Sequence, residues 1–127
     1  MSDFNSQHNR AVWFDIPVAD LDRSAKFYQA VLGIQVDKQE FNGFTFCVLH
    51  HIDGNGGCLV VNPAEISTTG ILVYLNVNGR IRDAIAQVPL HGGSVLEPIQ
   101  AIGPHGFRAL IKDSEGNRLA LHSTNDA

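Results

Sequence analysis

The chain has 127 residues, 44% of them hydrophobic and 17% charged, and a formal net charge of −4. Such a length and balance suit one folded domain with its own core, and exclude both a disordered segment and two full-sized domains. Nine basic residues that nowhere form a run exclude the electrostatic footprint of a nucleic-acid or anionic-membrane binder.

No apolar stretch reaches the roughly 20 residues that cross a bilayer. The start, Met1 to His8, has neither a basic nor an apolar leader region, so a cytoplasmic protein is expected. Cys47 and Cys58 are too few for a disulfide scaffold and read as reduced core or pocket residues.

Residues 1–10 and 124–127 are polar and aperiodic, and both ends are expected to be loosely held. Val12, Phe14, Ile16 and Val18 alternate with Trp13, Asp15, Pro17 and Ala19, the period of two of a strand with one face in the core. Asp20 suits an N-cap for a helix over 21–32, where Leu21, Ala25, Tyr28 and Leu32 recur three or four residues apart and Gly33 supplies a left-handed end. Three strands follow near 34–41, 44–50 and 57–62; Asn42-Gly43 is a type I′ hairpin signal, and Asp53 to Gly57 a looser turn.

The order then repeats. A strand from Ile71 to Val77 leads to Asn78 as N-cap, a helix through Ile81, Ile85 and Val88, and an end at Gly92-Gly93, with Pro89 tightening the last turn. Strands near 94–99, 107–112 and 117–122 complete the unit, with turns at Gly103 to Gly106 and Asp113 to Asn117. The junctions at Val18 and Val77 correspond, and no Pro- or Ser-rich linker intervenes. The sequence predicts an α+β fold of two tandem βαβββ units, about 11–62 and 70–123, forming a single domain over 11–123.

Residues 16–28, from Ile16-Pro-Val-Ala-Asp-Leu through Phe27-Tyr28, followed by Val31-Leu-Gly33, resemble the opening signature of the glyoxalase/bleomycin-resistance/dioxygenase superfamily, the vicinal oxygen chelate fold. Asp113-Ser-Glu-Gly-Asn-Arg-Leu-Ala-Leu121 is similar to its closing hairpin, and Tyr74 to Asn78 to the start of its second unit. The resemblance implies that the units curve into an open cup whose concave face carries the site, and that the chain forms a homodimer.

The resemblance also implies where metal ligands would stand. The first falls on Trp13, the one opening the second unit on Leu72 and the closing one on Ala120; the fourth lies somewhere in Cys58 to Val61, which offers no His, Glu or Asp. A divalent ion needs three or four converging donors, so no metal cofactor is expected unless non-standard ligands supply one. The arginine that relatives use for a glutathione carboxylate falls on Pro17, which makes glutathione-linked chemistry doubtful.

With even positions of the first strand packed inward, Trp13 and Asp15 face the cup; Arg118, Ala120 and His122 join them from the last strand, and Leu72, Tyr74 and Asn76 from the strand between. Asp15 and His122 are the candidate catalytic acid–base pair. Trp13, Leu72, Tyr74, Asn76, Arg118 and Ala120 are candidate ligand contacts, with His105 as a cover at the rim. The structural alternatives are a buried Asp15–Arg118 ion pair, a His122 that satisfies a backbone carbonyl, and a Trp13 that fills volume.

His50 and His51 alternate to opposite faces and read as surface; His8 lies in the polar start and His91 at a helix end. Glu40, Glu65 and Glu97 read as solvated, Glu65 nearing the cup only if its loop folds inward. The leading functional expectation is a small, partly apolar organic ligand bound in the cup without metal. The rivals are a metal-dependent lyase, isomerase or dioxygenase with displaced ligands, and a ligand-free regulatory or interaction dimer.

Overall fold

The computed structural model describes residues 9–127; His8 lies outside them. The first unit comprises β1 (Asp15–Val18), α1 (Leu21–Leu32), β2 (Val36–Phe41), β3 (Phe44–Leu49) and β4 (Cys58–Val61). The second comprises β5 (Tyr74–Asn76), α2 (Ile81–Leu90), β6 (Ser94–Ala101), β7 (Phe107–Lys112) and β8 (Arg118–Ser123). Each unit builds one open four-stranded sheet, ordered β1-β4-β3-β2 and β5-β8-β7-β6. The expected tandem βαβββ architecture is therefore present as two sheets, each with a parallel edge pair, β1 with β4 and β5 with β8.

α1 begins and ends where its capping residues dictate. Asp20 accepts the Arg23 N–H at 3.0 Å, and Gly33, at φ 67°, donates to the Gln29 carbonyl. Its buried stripe is Ser24, Phe27, Tyr28 and Val31, with Leu21, Ala25 and Leu32 only partly covered. The spacing had centred the stripe about one residue away, because α1 faces a second helix as well as its own sheet. Asn42 and Gly43 both take positive φ, 51° and 81°, as a type I′ hairpin requires.

The second unit departs further from expectation. Its first strand is only three residues long; of residues 71–73, Val73 still offers its carbonyl to the Ala120 N–H of β8 at 3.0 Å. Asn78 does not cap α2; the N-cap position is Arg80, without a side-chain cap bond. The Asn78 Oδ1 instead accepts from the Thr124 N–H and hydroxyl, both at 2.7 Å, while Gly79 turns at φ 78°. Arg82 also donates to the Asp126 carbonyl at 2.6 Å, so residues 124–127 lie bonded across the start of α2.

Buried residues of both units form one continuous cluster, from Ile16, Val18, Phe27 and Tyr28 through Leu75, Val77, Ile81 and Val88 to Ile111 and Leu121. Polar contacts lock the units together around it. The Arg80 guanidinium donates to the Val31 carbonyl at 2.6 Å, satisfying one open end of α1, and Asn117 donates to the Pro17 carbonyl at 2.7 Å. Among the described residues, no helix is long and apolar enough to cross a membrane.

Candidate functional site

β1 and β5 are both edge strands, and a cleft of about 770 Å³ runs between them. Trp13, Asp15 and Pro17 wall one side and Leu72, Tyr74 and Arg118 the other; Glu65, Ser67 and Thr69 of the connecting segment also line it. The loop carrying Glu65 therefore folds toward the cleft, the condition on which that carboxylate was expected to matter.

Strand register fixes which side chains share the cleft-side face of each sheet. In the first unit Ile16, Leu59, Cys47 and Leu49 pack with α1 in the core, so Asp15, Cys58, Val48, Val60 and Phe46 occupy the opposite face. In the second, Leu75, Leu119, Leu121 and Ile111 pack inward. Tyr74, Asn76, Arg118, Ala120, His122, Leu110 and Arg108 then share the outer face. The expected inward packing of Ile16, Val18, Leu119 and Leu121 is seen.

The candidate residues fall into two groups instead of one. Asp15 is exposed and accepts from the Cys58 thiol at 3.1 Å. Burial, then the Asp15 carboxylate, push that thiol up to about 11, with the Trp13 indole pulling the other way. With no metal beside it, Cys58 is therefore a neutral thiol and not a thiolate nucleophile. Trp13 is half-buried and meets the His51 ring edge-on, with centroids 5.7 Å apart. His51, read as a surface residue, thus helps hold the indole; its Nδ1 lies 3.0 Å from the Gly54 carbonyl.

His122 belongs to the second group. Its Nε2 lies 2.6 Å from the His105 carbonyl, and because a carbonyl can only accept, Nε2 carries a proton. Tyr74 packs beside that ring, centroids 6.4 Å apart. Asp15 and His122 share no hydrogen bond, so the expected acid–base pair is not assembled in this structure. The Asp15–Arg118 ion pair is not formed either: Arg118 donates to the Gly70 carbonyl at 2.9 Å. For His122, the structural alternative of a satisfied backbone carbonyl is the arrangement found. His105 is exposed and contributes its carbonyl there.

Asn76 folds its Oδ1 back onto the Asn78 N–H at 2.8 Å. Ala120 lies on the outer face but is 0% exposed, hidden beneath its neighbours. Arg108, not singled out from the sequence, is the residue that joins this group: its Nη1 donates to the Tyr74 hydroxyl at 2.5 Å. The signal was available, since pairing across the Asp113–Asn117 turn sets Arg108 opposite His122.

The superfamily's metal positions can now be tested on donor chemistry. Trp13 and Leu72 present an indole and an alkyl chain, Ala120 a buried methyl, and the remaining strand a neutral thiol. These groups do not fit a divalent ion. Among the described residues, no three His, Cys, Asp or Glu side chains gather as a metal-holding group.

Comparison with known proteins agrees with the fold. Residues 10–48 match the family described as bleomycin resistance protein-like N-terminal. Over 126 residues the chain is 29% identical to a glyoxylase-like domain-containing protein of Didymella fabae, covering 90% of this chain and 93% of that one. A hypothetical protein from S. aureus shares the fold with a TM-score of 0.70 at 21% identity, over 91% of this chain and 94% of the other. The fosfomycin resistance protein FosX from Listeria monocytogenes does so with a TM-score of 0.67 at 13% identity, over 91% and 93%. The paired units define a vicinal oxygen chelate fold. The chain is similar to the glyoxalase/bleomycin-resistance/dioxygenase superfamily, over residues 10–48 in sequence and over both units in fold.

Proposed function

We propose that the protein is a cytoplasmic, metal-independent member of this superfamily that binds a small, partly apolar organic molecule in the cleft between β1 and β5. The observation that carries this reading is the cleft itself: about 770 Å³, walled by Trp13 and Leu72, where the resemblance puts metal donors, and by Tyr74, with Asp15 and Arg118 as polar groups. A cavity of that size with few polar groups is the ordinary make-up of a small-molecule site. The match of residues 10–48 to the bleomycin resistance protein-like family supports a ligand-binding role. The undone Asp15–His122 pair points the same way.

The sequence holds a single tryptophan, and it lines this cleft. Trp13 fluorescence therefore reports binding directly. With protein purified without a His-tag and stripped by chelator, a neutral apolar probe, phenylacetamide, should change Trp13 emission saturably, and Mn²⁺ or Zn²⁺ should not alter the curve. Tight retention of a stoichiometric transition metal, or binding seen only when metal is added, would reinstate the metal-dependent enzyme. Exposed Phe41 and Phe44 on the β2–β3 hairpin support a homodimer in the same reading.

A further inference from the structure

The outer face of the second sheet carries Arg108, Lys112 and Arg118, cations that the reading above leaves largely unused. The ion pairs formed among the described residues are Arg23–Glu115, Lys38–Asp22, Arg80–Asp83 and Arg82–Asp126. None involves this face, although the chain as a whole carries −4. The acid beside it, Glu97, accepts from the Gln100 amide at 3.1 Å instead of from an arginine.

Arg108 is held in a particular pose. Nη1 is fixed by the Tyr74 hydroxyl, the guanidinium carbon lies 5.9 Å from the Tyr74 ring centroid, and His122 stands in register across the strand pair. Its Nε is withdrawn from water with no acceptor, and so is that of Arg118. A buried N–H without an acceptor is costly to keep. A guanidinium anchored at one Nη and lacking an acceptor on its Nε edge matches the two oxygens of a carboxylate, which would reach that edge by displacing the side chains that cover it. Leu110 and Ala120, in register with each other on the same face, are 7% and 0% exposed and so pack beneath the polar side chains instead of meeting a ligand.

We infer that the Tyr74–Arg108 corner is an anion subsite, and that the ligand is an organic carboxylate whose apolar body runs from Arg108 past Tyr74 into the cleft. The inference deepens the cleft-binding reading and rests on it: Tyr74 belongs to both the corner and the cleft wall. An anchored guanidinium distinguishes an acid from its uncharged isostere because only the acid supplies charge-assisted acceptors.

The test compares phenylacetate with phenylacetamide by calorimetry on wild type, R108Q and R108K. Wild type should prefer the acid, R108Q should lose about tenfold or more of its affinity for the acid while keeping that for the amide, and R108K should recover part of the loss. Nitrogen-15 NMR of wild type gives a second readout that needs no variant: the Arg108 Nε–H signal should move with phenylacetate and not with phenylacetamide. Equal binding of acid and amide, an unmoved Nε–H signal, or an R108Q that binds the acid as wild type does overturns the anion subsite and leaves the cleft standing. Failure of both probes to bind overturns the two together.

Discussion

Tyr28 takes a hydroxyl into the fully buried interior, where it donates to Asp113 Oδ2 at 2.5 Å. Asp113 collects four further donors: the Asn117 amide on the same oxygen, and the backbone N–H groups of Glu115, Gly116 and Asn117 on Oδ1, each at 2.9 Å. Burial, then the neighbouring carboxylate, raise the Tyr28 hydroxyl well above its ordinary value, so it stays a donor throughout the accessible range. Tyr28→Phe removes one of the five donors to a buried charge and should cost about 2 kcal/mol in urea denaturation at neutral pH, without changing the slope of the transition. An unchanged midpoint would show that the other four donors suffice. The sequence made Tyr28 an inward residue by spacing alone and read Asp113 only as part of a turn. Their partnership spans 85 residues, and a local pattern carries no information about such a contact. Arg108 was missed for a like reason: its hairpin placed it, but its role lies in the bond to the Tyr74 hydroxyl, 34 residues away.

At the scale of elements, the turn between β7 and β8 docks onto the start of α1. Glu115 accepts the N–H groups of Ala19 and Asp20, both at 2.9 Å, and a forked pair of bonds from Arg23, with its side chain withdrawn from solvent. Burial alone would raise the Glu115 carboxyl; Arg23, the Asp20 N–H, the Ser114 hydroxyl and the Ala19 N–H overcome it and bring the group to about 2. A folded-state value depressed from 4.5 gives stability that is fully present above about pH 4.5 and is lost as pH falls through about 2. Glu115→Gln should therefore lower stability by about 2 kcal/mol near neutrality, a figure discounted because Arg23 is half exposed. Denaturation curves of variant and wild type should converge toward the acid end of that window; a constant gap across it would assign the loss to packing instead of charge. Element ends were legible where a residue acts on its own neighbours, as Asp20, Gly33 and Asn42-Gly43 do. They were not where a distant partner competes: Thr124 takes the Asn78 side chain that was expected to cap α2.

For the molecule as a whole, the outer faces of the two sheets differ in character. The first unit presents Phe46, Val48 and Val60 with the hairpin phenylalanines at its edge, Phe41 68% and Phe44 75% exposed; the second presents Arg108, Arg118, Tyr74 and His122. The doubling of the unit was readable because each half repeats its own local signals, whereas this division of labour depends on how the halves pair strands. Two large aromatics side by side in register on an edge hairpin are poorly suited to water and well suited to a partner surface. If that partner is a second copy, sedimentation of the wild type should give a dimer, and Phe41→Ser with Phe44→Ser should give a monomer with an unchanged far-ultraviolet spectrum. The Trp13 response to phenylacetamide in that monomer then separates two architectures. A retained response means that the cleft between β1 and β5 works within one chain. A lost response, with the fold intact, means that the neighbour's second sheet completes the cup over the first.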